Sequence, residues 1–191
     1  MTIEELCKQL EDAEGYERFE AVEALGELGP AAEDAVPKLA VCLNCDDDDL
    51  KYLVADSLRK IGTPLAKGIL VEVAVPMFID QLEHEDPFLR SDAAIALGEI
   101  GPDAAMAEPM LLKALEEMDT ELAFHAVEAL REIGSPTAMA AVDAFAKAHV
   151  PILSGALQLE DEEEREFAIF ALKKIGSPEA LQILESNGFD V

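Results

Sequence analysis

Three histidines, three cysteines and two dense carboxylate runs are the side chains with spacings that could do chemistry. His84-Glu85 pairs an imidazole with a carboxylate, as iron and zinc sites do. It stands before Asp86-Pro87 at the end of a predicted helix, and it reads as a solvated turn. His125 falls inside a predicted helix with no second histidine at ligand spacing, and His149 precedes Pro151 with no evident partner. Cys42 and Cys45 form one C-x-x-C. A structural zinc site would need a second such pair, or two histidines at finger spacing, and the chain has neither nearby. A redox dithiol belongs in a βαβ setting, which this chain does not offer. Asp46 to Asp49 supplies oxygens for a hard cation but lacks the glycine of a calcium loop. It reads as a solvated helix start, with weak cation binding as the alternative, and Glu160 to Glu164 reads the same way. The stretch ALGELGP lacks the Lys-Ser/Thr ending of a phosphate loop and is not preceded by a strand. No catalytic residue, cofactor or metal is expected.

The elements that carry these residues announce themselves by repetition. One phrase occurs five times: ALGELGPAA (24–32), SLRKIGTPLA (57–66), ALGEIGPDAA (96–105), ALREIGSPTA (129–138) and ALKKIGSPEA (171–180). Each is an apolar helix end, a glycine stop and a proline just beyond. A glycine there suits a left-handed C-cap, and the proline can open a new helix but not continue the old one. The stops at Gly29, Gly62, Gly101, Gly134 and Gly176 are 33, 39, 33 and 42 residues apart. A second proline recurs in AVPKLAVCL (Pro37), AVPMFIDQL (Pro76), AEPMLLKAL (Pro109) and HVPILSGAL (Pro151), always 25 residues before the next stop. The length variation therefore falls between glycine and proline, which puts extra residues of repeats two and four on one connection, along one edge. A designed consensus array would repeat at constant length.

Each unit thus reads as two helices, A closing at the glycine and B opening near the second proline. Helix A of repeat three has a stripe of Leu89, Ala93, Ile95, Ala96, Leu97 and Ile100. Helix B carries Leu39 and Leu43, Phe78 and Leu82, Leu111 and Leu115, Leu153 and Leu157, each pair at i, i+4 on one face. Acidic stretches before the A helices cap and complement their N-termini. The first helix spans about 2–12, with Thr2 and Glu5 at capping-box spacing, and reads as an unpaired B helix covering repeat one. The tail after Pro178 reads as a partial last unit, and the whole of 1–191 as one repeat domain. A longer rhythm stands three residues before each stop, where Gly26, Arg59, Gly98, Arg131 and Lys173 alternate in kind, as if a two-repeat unit had been duplicated.

Composition narrows the function. Fourteen Lys and Arg against 41 Asp and Glu leave a net charge of −27 in 191 residues. Such a surface repels phosphate backbones and anionic lipid, so neither nucleic acid nor membrane is an expected partner. It favours a basic partner, or serves solubility or salt adaptation. The polar, acidic start MTIEELCKQLED is unlike a secretory signal, so a cytoplasmic location is expected.

The two-helix unit, the Gly-Pro stop and the AVPxLxxxL second helix resemble HEAT-like repeats, in the short form first named for phycobilisome lyases. Ankyrin repeats would repeat the Thr63-Pro64-Leu65 start in every unit, and tetratricopeptide repeats would carry a Trp, which this chain lacks. The resemblance covers nearly the whole chain. It implies an all-α fold, a right-handed α-α superhelix (solenoid) of about five two-helix repeats after an N-terminal half-repeat, with B helices on the inner surface. Deoxyhypusine hydroxylase resembles this fold and binds iron through His-Glu pairs ten and nine residues before each stop. Those positions hold Phe19-Glu20, Tyr52-Leu53, Ser91-Asp92, Phe124-His125 and Glu166-Phe167, so that activity has no support. HEAT-like DNA glycosylases need a cationic groove, which this net charge opposes.

On that geometry, positions one, four, five and eight after each B-helix proline face the groove. They are Lys38, Val41, Cys42 and Cys45; Met77, Asp80, Gln81 and His84; Met110, Lys113, Ala114 and Glu117; Ile152, Gly155, Ala156 and Leu159. Met77 and Met110 either line the groove or pack on neighbouring B helices. Flexible thioethers suit adaptable apolar contacts. The leading expectation is a non-enzymatic scaffold that grips a basic protein or peptide, with Lys38, Met77, Asp80, Gln81, His84, Met110, Lys113, Glu117 and Ile152 as contact residues. The alternative, suggested by the family name, is a phycobilin lyase-type or chromophore-handling subunit, with Cys7, Cys42 or Cys45 available for a thioether.

Overall fold

A computed structural model of the chain describes residues 1–12, 15–116 and 120–190. Every regular element among them is helical. They form two compact units, Met1–Gln81 and Leu82–Val191. The first holds α1 (Ile3–Asp12), α2 (Tyr16–Glu27), α3 (Val36–Cys42), α4 (Asp48–Ile61), α5 (Pro64–Ile69) and α6 (Val75–Gln81). The second holds α7 (Pro87–Ile100), α8 (Glu108–Ala114), α9 (Thr120–Ile133), α10 (Pro136–Ala156), α11 (Glu162–Ile175) and α12 (Pro178–Ser186).

The helix ends are set by single residues. Thr2 and Glu5 form the expected reciprocal cap: the Thr2 N–H donates to the Glu5 carboxylate (2.7 Å) and the Glu5 N–H to the Thr2 hydroxyl (3.2 Å). Those bonds hold the Glu5 carboxyl below its usual range. Asp47 caps α4 by accepting from Leu50 N–H at 3.1 Å, and Asp161 caps α11 by accepting from Glu164 N–H at 3.1 Å. The carboxylate runs thus act as helix starts. All five stop glycines have positive φ, between 58° and 70°.

The path beyond each stop glycine depends on one residue. Gly62, Gly134 and Gly176 precede Thr63, Ser135 and Ser177, each with a proline next. Those hydroxyls accept from the N–H of Ala66, Ala138 and Ala180 at 3.0–3.3 Å, so a new α-helix starts at once. Gly29 and Gly101 abut a proline directly, with no capping hydroxyl between. There the chain runs through a 3₁₀ segment, Gly29–Ala35 or Gly101–Ala107, before α3 or α8 begins. Gly62 is left-handed (φ 63°, ψ 8°), whereas Gly101 (φ 69°, ψ −135°) lies in a region that only glycine occupies comfortably.

This corrects the expected geometry of the longer repeats. Their extra residues form no loop; they extend helix B towards its N-terminus. Residues 64–81 are continuously helical, with a π-type stretch at Leu70–Ala74 just before Pro76. A widened turn relieves a ring that would otherwise collide with the preceding turn. Pro151 lies well inside the 21-residue α10.

The core is aliphatic and small-residue rich. Helix A contributes Leu50, Val54, Leu58 and Ile61 in α4 and Ala93, Ala96, Leu97 and Ile100 in α7. The B-helix pairs point inward as expected, with Leu39, Leu43, Phe78, Leu82, Leu111, Leu153 and Leu157 all buried and Leu115 half-buried. α1 lays Leu6, Cys7 and Leu10 into the first unit. No helix among the described residues is long and apolar enough to cross a membrane.

Candidate functional site

The B helices turn their apolar pairs inward, which leaves the positions one and four after each proline outward. Val41 is 68 % exposed and Ile152 70 %. Met77 and Met110 are half-buried, Asp80 and Lys113 exposed. The fifth position differs from expectation in two repeats: Cys42 and Ala114 are buried, because the angular step from position one carries them under the helix. Glu117 lies outside the described residues.

The polar members are partly committed to neighbours. Lys38 pairs with Glu11 at 2.7 Å and Lys113 with Glu83 at 2.6 Å. Gln81 bridges to helix A: its amide donates to the Asp48 carboxylate (2.9 Å) and its carbonyl accepts from the Tyr52 hydroxyl (3.1 Å). Tyr52 in turn stacks on Phe78, with ring centroids 5.1 Å apart. Gln81 therefore fixes α6 against α4. His84 is exposed, and its Nδ1 accepts from Asp86 N–H at 3.0 Å, while Arg90 donates to the His84 and Glu85 carbonyls. The HE pair belongs to a turn. Among the described residues no cluster of His, Cys, Asp and Glu could hold a metal ion. Cys7 and Cys42 are buried in the first unit; Cys45 is half-exposed.

Sequence reading missed a second feature, an aromatic cluster in the second unit. Phe124 of α9 is 2 % exposed and meets four rings edge-on: Phe145 at 5.5 Å, Phe167 at 5.7 Å, His149 at 6.4 Å and Phe170 at 6.5 Å. His149 stacks on Phe145 at 3.9 Å and its Nδ1–H donates to the Phe145 carbonyl. His125 is buried against Phe170, and its Nδ1 has no hydrogen-bond partner among the described residues. Beside the cluster a cavity of about 400 Å³ is lined by Glu121, Glu163, Glu166, Phe167 and Phe170. The signal was present in α11, where Glu163, Glu166, Phe167 and Phe170 stand at i, i+3, i+4 and i+7, one face of a helix. Nothing in the sequence tied that face to Phe124.

Burial holds the His125 imidazole below its ordinary pKa; Lys174 adds to this, and Glu128, Glu121 and Asp92 oppose it. The unfolded chain therefore takes the proton first as pH falls. The stability that neutral His125 contributes is complete above about pH 6.5 and is lost progressively below it. Urea unfolding across that range should show a fall in stability that His125→Leu flattens. An unchanged slope in the variant would contradict this.

Helix pairs closed by glycine, packed A on A and B on B within each unit, define an all-α protein of the HEAT and armadillo solenoid class. The HEAT-repeat family pattern matches residues 3–75, 75–148 and 108–187, and the chain belongs to that family. Among solved structures, an engineered protein from the Northeast Structural Genomics Consortium is 26% identical with TM-score 0.52, covering 98% of this chain and 86% of its own. The complex of CpcE and CpcF of phycocyanin lyase from Nostoc sp. PCC7120 is 23% identical with TM-score 0.53, covering 96% of this chain and 80% of the other. A designed armadillo repeat protein in complex with the peptide (KR)4 is 20% identical with TM-score 0.51, covering 98% and 88%. No curated protein matches in sequence.

Proposed function

We propose that the chain is a protein-binding scaffold whose B helices grip a basic peptide or protein segment. The observation that carries this reading is the outward row on those helices. In the first unit Val41 is about two-thirds exposed and Met77 half-buried, and in the second Ile152 is about two-thirds exposed and Met110 half-buried, in a chain of net charge −27. Apolar side chains held out of the core on so charged a surface suit an interface. The surrounding carboxylates select a cationic partner, acting on association rate and specificity more than on final affinity. Lys38, Asp80, His84, Lys113 and Glu117 supply polar contacts in this reading, and Gln81 holds its helix in place. The designed armadillo protein with a bound (KR)4 peptide is an example of this class of fold taking such a ligand. The lyase-type alternative has only likeness of fold behind it, and burial of Cys7 and Cys42 removes two of its three thiols.

The test is a titration with a peptide of alternating lysine and arginine. Met110→Ser and Ile152→Ser should each weaken binding about three- to tenfold, an effect on the order of 1 kcal/mol for a partly buried apolar contact. Phe88→Ser, at an equally exposed apolar residue on helix A, should leave binding unchanged. Equal loss at Phe88, with none at Met110 and Ile152, would overturn the placement on the B helices.

A further inference from the structure

The cavity between the first turn of α9 and the outer stripe of α11 has a composition that the fold does not require. Its floor is Phe167, 41 % exposed, and Phe170, with ring centroids 6.4 Å apart and planes inclined at 37°. Its walls are Glu121, Glu163 and Glu166. None of these three carboxylates has an ion-pair partner among the described residues, whereas Glu11, Glu27, Glu83 and Glu128 each have a lysine. The helix dipole accounts for Glu121 and Glu163, which lie in first turns. It does not account for Glu166, nor for an exposed phenylalanine set between acids. A ring face with carboxylates around it is complementary to a cation. Phe170 already receives one: Lys174 Nζ lies 5.8 Å from its centroid. That ammonium is paired with Glu128, and burial holds the His125 imidazole behind Phe170 below its ordinary pKa, which disfavours a second positive charge there.

We propose that this cavity binds the guanidinium group of an arginine side chain of the partner. Guanidinium is planar, stacks on an aromatic face and forks to carboxylates, which a compact ammonium does not do. A cavity of about 400 Å³ admits the group with its aliphatic stem. The proposal rests on the reading of a basic partner, but it places one contact on the A helices of the second unit and not on B helices.

The experiment titrates N-acetyl-arginine methylamide into the full chain and monitors the phenylalanine ring signals by NMR. The expected result is a saturable shift of the Phe167 and Phe170 rings, with millimolar dissociation on the order of that for a single side chain. The neutral citrulline analogue should give none, and Phe167→Leu and Glu166→Gln should each weaken the response at least about fivefold, about 1 kcal/mol. The lysine and trimethyl-lysine analogues should bind more weakly than arginine. No saturable shift at these rings, an equal response to citrulline, or tighter binding of trimethyl-lysine would overturn the assignment. The two readings fail separately. A lysine-arginine peptide that binds while these rings stay silent refutes the arginine site and leaves the scaffold standing. An arginine analogue that binds here, with no salt-sensitive peptide binding, supports the site and refutes the scaffold reading.

Discussion

Gly98→Val is expected to destabilise the protein by about 3 kcal/mol, measured by urea unfolding. A Cβ at Gly98 would stand 3.0 Å from the Ala129 Cα and 3.3 Å from its Cβ. Those atoms belong to the backbone and first side-chain carbon of α9, so no rotamer can move them away. The helices must separate, and Ala93, Leu97, Ala126 and Leu130, all buried, would lose part of their packing. Gly26 meets Ser57 in the same way in the first unit, with the Ser57 hydroxyl donating to the Val22 carbonyl at 3.0 Å. Gly68 is the control. A Cβ there meets nothing within 4 Å, so Gly68→Ala should be neutral or stabilising by up to about 1 kcal/mol. Equal behaviour of the two sites would show that α7 and α9 are not in close contact.

Phe124→Ala should cost about 3–5 kcal/mol. The ring is buried edge-on against Phe145, Phe167, Phe170 and His149, and its removal leaves a cavity that these rings, anchored on α10 and α11, cannot close. Phe167→Ala, at a ring that is 41 % exposed, should cost less than about 1.5 kcal/mol. The difference separates the supporting ring from the ring offered to a ligand. Similar losses at both would mean that Phe167 is a core residue and not part of a surface site.

The Gly26 and Gly98 contacts explain the two-repeat rhythm seen in the sequence. Glycine recurs where helix A of one repeat crosses helix A of the next at short range, once in each compact unit. Arg131, at the equivalent position of repeat four, instead reaches across to donate to the Lys174 and Ile175 carbonyls and so caps α11. Helix ends were legible because a glycine at positive φ and a proline ring act locally. The paths of Pro76 and Pro151 were not, because a proline that opens a helix and one embedded in it look alike in sequence. Thr63 and Ser135 were the available discriminators, since a capping hydroxyl between glycine and proline starts the helix early. The outward row was readable from periodicity, but the burial of Cys42 and Ala114 was not, because it depends on the roll of each helix against its neighbour. The aromatic cluster joins Phe124 of α9 to rings on α10 and α11, and no local pattern carries that pairing.

The most direct test of the scaffold reading is the affinity of the lysine-arginine peptide for the intact protein, measured by calorimetry from about 0.05 M to about 0.5 M salt, over which the screening length falls several-fold. The account predicts saturable binding that weakens about tenfold or more over that range, with no binding of an equally long glutamate-rich peptide. An affinity indifferent to salt, or equal affinity for the acidic peptide, would contradict it.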